Sequence, residues 1–169
     1  MRSIESTLDI PVAASACLLG QQRTPGQATP TPQALLSAMA ANVSTIVDDA
    51  EHLRWQADVD LWRIALTQTA GLPPADLDRM MPLLDRMKRN VAQVTERDES
   101  ERWQANIDLW AVRLGTKGQP TTGGAAKLKI PLDRLTANVA RIQDPGEKTR
   151  WAANRGLWQA TADRIAAIP

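Results

Sequence analysis

Six tryptophans are the side chains of this sequence best suited to recognising a ligand. They are its only aromatic residues, because the chain contains neither Phe nor Tyr. Indole faces attract cations and stack on flat or CH-rich surfaces, so a Trp-lined groove would suit a sugar, a cationic headgroup or an apolar ligand. The leading interpretation is that all six pack in the core, as tryptophans at helical spacing usually do, and a middle position is that one of each pair is buried and the other partly reachable. The candidate residues are Trp55, Trp62, Trp103, Trp110, Trp151 and Trp158.

Three arginines each follow a glutamate by three positions: Arg54, Arg102 and Arg150. Residues three apart are neighbours on a helix surface, so the simplest interpretation is a Glu–Arg pair within one helix. A second interpretation is that each arginine reaches carbonyls or acids of the next repeat. A third is that the three guanidinium groups converge on an anion, which only a closed arrangement would allow.

Three asparagines form another candidate set: Asn42, Asn90 and Asn138. Asn is a poor helix former, so its recurrence beside an apolar stripe indicates a specific hydrogen bond. We predict a polar clamp whose partner is a Trp N–H or the residue at position 58, 106 or 154. Contact with a ligand is the alternative.

The remaining residue types predict no catalytic or metal site. His52 stands among the acidic residues of a helix start, but the corresponding residues of the other copies are Ser100 and Lys148. The sequence has none of the short motifs typical of zinc, calcium, nucleotide or nucleophilic-serine sites. Catalytic residues therefore stay unassigned, and no metal or cofactor is expected.

The candidate tryptophans and arginines lie in a nine-residue segment that occurs three times at intervals of 48 residues, and each candidate asparagine stands twelve residues before one of these segments. The copies read "RWQADVDLW", "RWQANIDLW" and "RWAANRGLW", beginning at Arg54, Arg102 and Arg150. Eight of 25 aligned positions are identical in all three copies without a gap. This is internal duplication, and a period of this length is typical of helical repeats.

Each copy has the pattern of a helical hairpin. In copy one, Leu36, Met39, Val43 and Ile46 are spaced by three, four and three residues, which is one stripe of an α-helix. The second helix begins at a capping residue, Asp48 in copy one and Asp144 in copy three, with three alternatives in copy two: Thr95, Glu96 and Asp98. Its apolar residues form two stripes, so it must contact two neighbours.

These patterns predict an all-α fold of three tandem hairpins, arranged as a short α-solenoid or as a closed six-helix bundle. We expect a flexible N-terminal segment over residues 1–31 and one helical-repeat domain over residues 32–169, with repeats at 32–70, 75–115 and 128–168. The expected helices span residues 32–47, 49–69, 75–95, 97–114, 128–143 and 145–167.

The composition limits the functional classes. A formal net charge of +1 predicts no general attraction to nucleic acid. No apolar stretch reaches the roughly 18–20 residues that span a bilayer, and the single cysteine, Cys17, is compatible with a cytoplasmic protein. We expect a non-enzymatic module that binds or scaffolds a partner protein. Self-association into a homo-oligomer is compatible with this expectation. The alternatives are a small-ligand carrier or sensor with a Trp-lined pocket and, third, an enzyme that uses carboxylate, Arg and Trp residues.

Overall fold

The computed structural model describes residues 29–68, 71–117 and 123–167, and within these ranges it contains six α-helices and no β-strand. The predicted all-α fold is confirmed. Of the flexible segment expected over residues 1–31, residues 1–28 lie outside the described residues, and Thr31 caps the first helix. None of the described helices is both long enough and apolar enough to cross a membrane. The helices are α1 (Pro32–Val43), α2 (Asp49–Leu66), α3 (Pro74–Val91), α4 (Arg97–Gly115), α5 (Gly124–Val139) and α6 (Pro145–Ala166).

The second helix of each hairpin begins at an acidic cap. The carboxylates of Asp48 and Asp144 each accept the backbone N–H three residues on, at 2.6 Å, as predicted. In copy two the cap is Glu96, one of the three residues considered, and its carboxylate accepts the backbone N–H groups of Glu99 and Asp98. These two bonds lower the pKa of Glu96 below its usual value.

The first helix of each hairpin ends four residues earlier than expected, because the chain needs those residues to reverse direction. In copy one the helix ends at Val43, and the N–H groups of Thr45 and Ile46 bond to the carbonyls of Asn42 and Val43 at 3.0 and 3.1 Å. These i→i+3 bonds tighten the last turn before the chain reaches Asp48. Ile46 has left the helix but still packs against the core.

The six helices form a closed ring. Besides the contacts within each hairpin, α2 packs on α3, α4 on α5, and α6 on α1. The last of these contacts joins the third repeat to the first, so the molecule is a closed six-helix bundle rather than an open solenoid. Helices α2, α4 and α6 surround a pseudo-threefold axis, and α1, α3 and α5 pack between them on the outside.

Two triangles of indole rings occupy the axis. Within each triangle the ring centroids are 4.6–4.8 Å apart, mostly in the edge-to-face arrangement that aromatic pairs prefer. Each indole therefore contacts one indole from each of the other two repeats. These contacts keep the second helices of the three repeats at nearly equal distances from one another. The first triangle contains Trp55, Trp103 and Trp151, and the second contains Trp62, Trp110 and Trp158.

The contact between the third and first repeats includes a glycine in the middle of α6. A β-carbon added at Gly156 would lie 2.9 Å from Cδ1 of Leu35 on α1. We expect Gly156→Ala to change the free energy of unfolding by less than about 0.5 kcal/mol, because a helix-propensity gain of about 1 kcal/mol is offset by displacement of the Leu35 tip. Urea denaturation measures the free energy of unfolding of this variant and of Gly156→Leu. The larger side chain of Gly156→Leu should lower that free energy by about 2 kcal/mol. Equal stability of the two variants would show that the helices do not approach closely here.

Candidate functional site

The three hairpin corners surround a concave surface on the pseudo-threefold axis, which we call the hairpin-end depression. It encloses about 670 Å³ and lies where α2, α4 and α6 begin, so all three repeats contribute to it. Its lining residues are Asp48, Glu51, Arg54, Glu96, Asp98, Glu99, Arg102, Arg141, Ile142, Gln143, Asp144, Glu147 and Arg150.

The three repeated arginines converge at the floor of this depression, and each pairs with the glutamate of the next repeat. The Nη2 atoms of Arg54, Arg102 and Arg150 donate to the carboxylates of Glu99, Glu147 and Glu51, at 2.8, 2.7 and 2.5 Å respectively. The second interpretation of the sequence, contact with an acid of the next repeat, is therefore correct. The simple pair within one helix is wrong, because ring closure brings the neighbouring glutamate closer to each guanidinium group.

The arginine side chains are largely buried rather than exposed to solvent. Only 7–9% of each is exposed, against 24–28% of the glutamates. The guanidinium carbon of Arg150 also lies 5.6 Å from the ring centroid of Trp55, in cation–π range. These three ion pairs, hereafter the Arg–Glu ring, each join one repeat to another and lie next to the first indole triangle.

The repeated asparagines behave less uniformly than predicted. Asn42 is a clamp, but its Oδ1 accepts from Nη1 of Arg150 at 2.8 Å rather than from an indole or from position 58, 106 or 154. Asn138 instead donates to the carbonyl of Arg134 at 3.3 Å, and its Oδ1 has no hydrogen-bond partner within the described ranges. Asn90 is half-buried. Of the three asparagines, only Asn42 is hydrogen-bonded to the Arg–Glu ring in the described part of the chain.

Negative charge predominates in the depression. Seven carboxylates and four guanidinium groups line it, a formal surplus of three negative charges. The arginines do converge, as the third interpretation required, but each is already neutralised by a glutamate. The surplus comes mainly from the helix caps and favours a cationic rather than an anionic ligand.

The six tryptophans contribute nothing to the lining of the depression. Each is at most 1% exposed, so the core interpretation is confirmed and the middle position, with one reachable indole in each pair, is wrong. The second indole of each repeat instead points its N–H into the core. Trp62, Trp110 and Trp158 donate to Asn154, Asp58 and Asn106, at 2.9, 2.7 and 2.8 Å.

Sequence reasoning underestimated the set formed by Asp58, Asn106 and Asn154, which it named only as partners for other asparagines. All three are fully buried between the two indole triangles. The missed signal was their position: three residues after the first Trp and four before the second, which places them on the same helix face. A polar residue fixed between two core tryptophans indicates a buried polar layer.

The opposite end of the axis contains a buried arginine that was also missed. Arg113 is 5% exposed and occupies the position of Ala65 and Thr161 in the other copies. Burial, together with the nearby charge of Arg164, lowers its pKa to about 10. The group therefore stays protonated at neutral pH.

No group of three or more His, Cys, Asp and Glu side chains in the described part of the chain could hold a metal ion. His52 is half-buried beside the start of α2. The candidate site is therefore built from ionic and hydrogen-bonding groups. No protein-family model, curated protein or solved structure matches this chain, so its function is inferred from the geometry of the site.

Proposed function

We propose that this protein is a non-enzymatic binding module, and that a partner protein docks a basic segment into the hairpin-end depression. The observation that carries the proposal is the surplus of three negative charges in a concave surface to which all three repeats contribute. Carboxylates concentrated in a concavity raise the local concentration of cationic groups and direct their approach.

The floor of the depression is suited to presenting this charge in a fixed position. The Arg–Glu ring holds Glu51, Glu99 and Glu147 at hydrogen-bond distance from enclosed guanidinium groups. The caps around it are fixed by backbone N–H groups of the second helices. Because little side-chain entropy is left to lose, a partner's lysine or arginine would meet preorganised carboxylates.

Two exposed apolar side chains, adjacent in sequence to residues that line the depression, favour a protein partner over a small ion. Val47, next to the cap Asp48, is 93% exposed, and Leu53 on the first turns of α2 is 45% exposed. The other copies have polar residues at both positions, Thr95 and Gln143 for the first and Glu101 and Thr149 for the second. Burying exposed apolar side chains against a partner contributes affinity that an isolated cation does not gain.

The alternative of a small-ligand carrier remains a proposal with weaker support. The sequence-based argument for a carrier is a Trp-lined pocket, but all six indoles are buried in the core. A small cation such as a polyamine would have to use the same depression, whose volume of about 670 Å³ is within the range of ligand sites. The third alternative, an enzyme, has no residue assigned to a catalytic role.

A peptide-binding experiment tests the proposal. Fluorescence anisotropy should show that a short peptide rich in lysine and leucine binds, whereas its glutamate-for-lysine counterpart does not. Asp98→Asn should weaken binding about threefold, because it removes one carboxylate from the depression. The matched control is Glu101→Gln on the same helix, which removes an equal charge outside the lining and should leave affinity within about twofold.

Substitution of the exposed apolar residues Val47 and Leu53 distinguishes the two binding proposals. Val47→Thr and Leu53→Thr install residue types that the other copies carry at these positions. These variants should weaken binding of the lysine–leucine peptide and leave binding of spermine unchanged. Spermine binding without peptide binding would favour the carrier. Equal binding of the acidic and basic peptides would contradict both.

A further inference from the structure

A layer of three polar side chains separates the two indole triangles. Nδ2 of Asn106 donates to Oδ1 of Asp58 at 2.9 Å, and Nδ2 of Asn154 donates to Oδ1 of Asn106 at 3.1 Å. Each of the three Oδ1 atoms also accepts an indole N–H of the second triangle. The layer therefore repeats one pattern around the axis, in which each amide N–H points to the Oδ1 of its neighbour.

The pattern is broken at one of its three links. A donor from position 58 to Oδ1 of Asn154 would complete the cycle, but this position has a carboxylate where the other copies have an amide. Oδ2 of Asp58 is buried and has no hydrogen-bond partner within the described ranges. By the symmetry of the layer, two acceptor oxygens meet at this link unless a proton lies between them.

We propose that Asp58 is a carboxylic acid in the folded protein at mildly acidic pH, with its proton on Oδ2 donated to Oδ1 of Asn154, and that release of this proton as the pH rises opens the polar layer and loosens the bundle. A protonated carboxyl has the same shape as the amide of Asn106 or Asn154 and one donor in the required place. The layer is then a cyclic network in which Oδ2 gains a partner. At higher pH the fold must instead hold an unpaired carboxylate in its core.

Within the residues that the structure describes, Asp58 forms no ion pair or hydrogen bond with a cationic side chain. Helix α1 has no charged residue along its whole length. The buried face of α5 is free of charged side chains, and that of α3 contains Asp76, which bonds to Arg79 and Gln68. Arg86 on α3 is half-buried, and its Nε is buried without a hydrogen-bond partner within the described ranges.

Along the axis, the indole triangles separate Asp58 from the remaining charges. On one side stands the Arg–Glu ring, with Arg54 on the same helix as Asp58, Arg102 on α4 and Arg150 on α6, each paired with a glutamate. On the other side Arg113 follows the second triangle. Burial accordingly raises the pKa of Asp58 to about 6, although the hydrogen bonds from Asn106 and Trp110 act in the opposite direction.

The direction of the pH effect follows from this difference between states. The folded protein binds the Asp58 proton more tightly than the unfolded chain, whose carboxyl has its ordinary pKa of 3.8. The contribution of this group to stability is therefore complete below pH 3.8 and is lost as the pH rises through about 6. Other carboxylates have the opposite dependence, so the effect must be measured against a variant that lacks only this group.

The test compares the full-length protein with Asp58→Asn, which installs the residue that copies two and three carry. From about pH 5 to about pH 8, the wild-type folding equilibrium constant should fall about tenfold more than that of Asp58→Asn. Asp78→Asn, which removes an exposed carboxylate of α3, should keep the wild-type dependence. Urea denaturation monitored by circular dichroism gives all three constants.

A spectroscopic measurement reports the proton directly. The carboxyl carbon of Asp58 and the indole N–H of Trp110, which donates to it, should titrate together in NMR spectra with a midpoint near pH 6. Both titrations should be absent in Asp58→Asn. A carboxyl midpoint near the ordinary value, or identical pH dependence of wild type and Asp58→Asn, overturns the proposal.

Discussion

Trp110→Ala is expected to remove most of the stability of the fold. The substitution deletes an indole that contacts two others at 4.7 Å and donates to Asp58 at 2.7 Å. Replacing a buried Trp by Ala costs about 3–5 kcal/mol, and the loss of a buried hydrogen bond adds to this. A domain of this size is stable by only about 5–15 kcal/mol, so the variant should be largely unfolded at low urea concentrations.

Two further variants separate packing from hydrogen bonding. Trp110→Phe keeps an aromatic ring in the triangle but has no N–H for Asp58, and we expect it to cost about 2 kcal/mol. Gln104→Ala changes an exposed residue of the same helix and should stay within about 0.5 kcal/mol of wild type. Circular dichroism is the suitable signal, because fluorescence changes with every Trp removed. A loss below about 1 kcal/mol for Trp110→Ala would mean that the indole triangles do not hold the bundle together.

The repeat pattern was sufficient to predict the elements of the fold but not their closure. Spacings of three and four residues define the apolar stripes of α1 and α2, and the cap at Asp48 defines their boundary. The same stripes would serve an open solenoid, because each hairpin needs only two neighbours in either case. Closure depends on the rotation from one repeat to the next. We attribute that rotation to the packing of three indoles around one axis. The periodicity of a single helix does not predict such packing between repeats.

The partners of the polar residues were the least predictable part of the site. From the sequence, Arg54 and Glu51 are neighbours on one helix surface. In the ring, Arg54 bonds to Glu99 and Glu51 bonds to Arg150, residues 45 and 99 positions away along the chain. Hydrogen-bond partners so far apart in sequence depend on how the helices pack against one another. The layer around Asp58 could have been predicted, since its place between two tryptophans of one face requires burial.

Arg150→Met tests closure most directly, because Arg150 of the last repeat bonds to Glu51 of the first. We expect a loss of about 2–3 kcal/mol, since the substitution leaves the partly buried Glu51 and Asn42 without their donors. In a closed ring, Arg102→Met should cost nearly as much, because Arg102 has a similar exposure and an equivalent glutamate, although it lacks the bond to an asparagine. In an open array Arg150 would face no further repeat, so its removal should cost little.

A double-mutant cycle with Glu51→Gln isolates the closing pair from the other effects of Arg150→Met. The coupling energy between positions 51 and 150 should be about 1–2 kcal/mol, although 99 residues separate them. The control cycle uses Arg97 and Glu101, an exposed pair within α4 whose coupling should be below about 0.5 kcal/mol. If the coupling between Arg150 and Glu51 is no larger than that of the control, the Arg–Glu ring does not help to join the first and third repeats, and closure depends on the indole triangles and the α6–α1 contact alone.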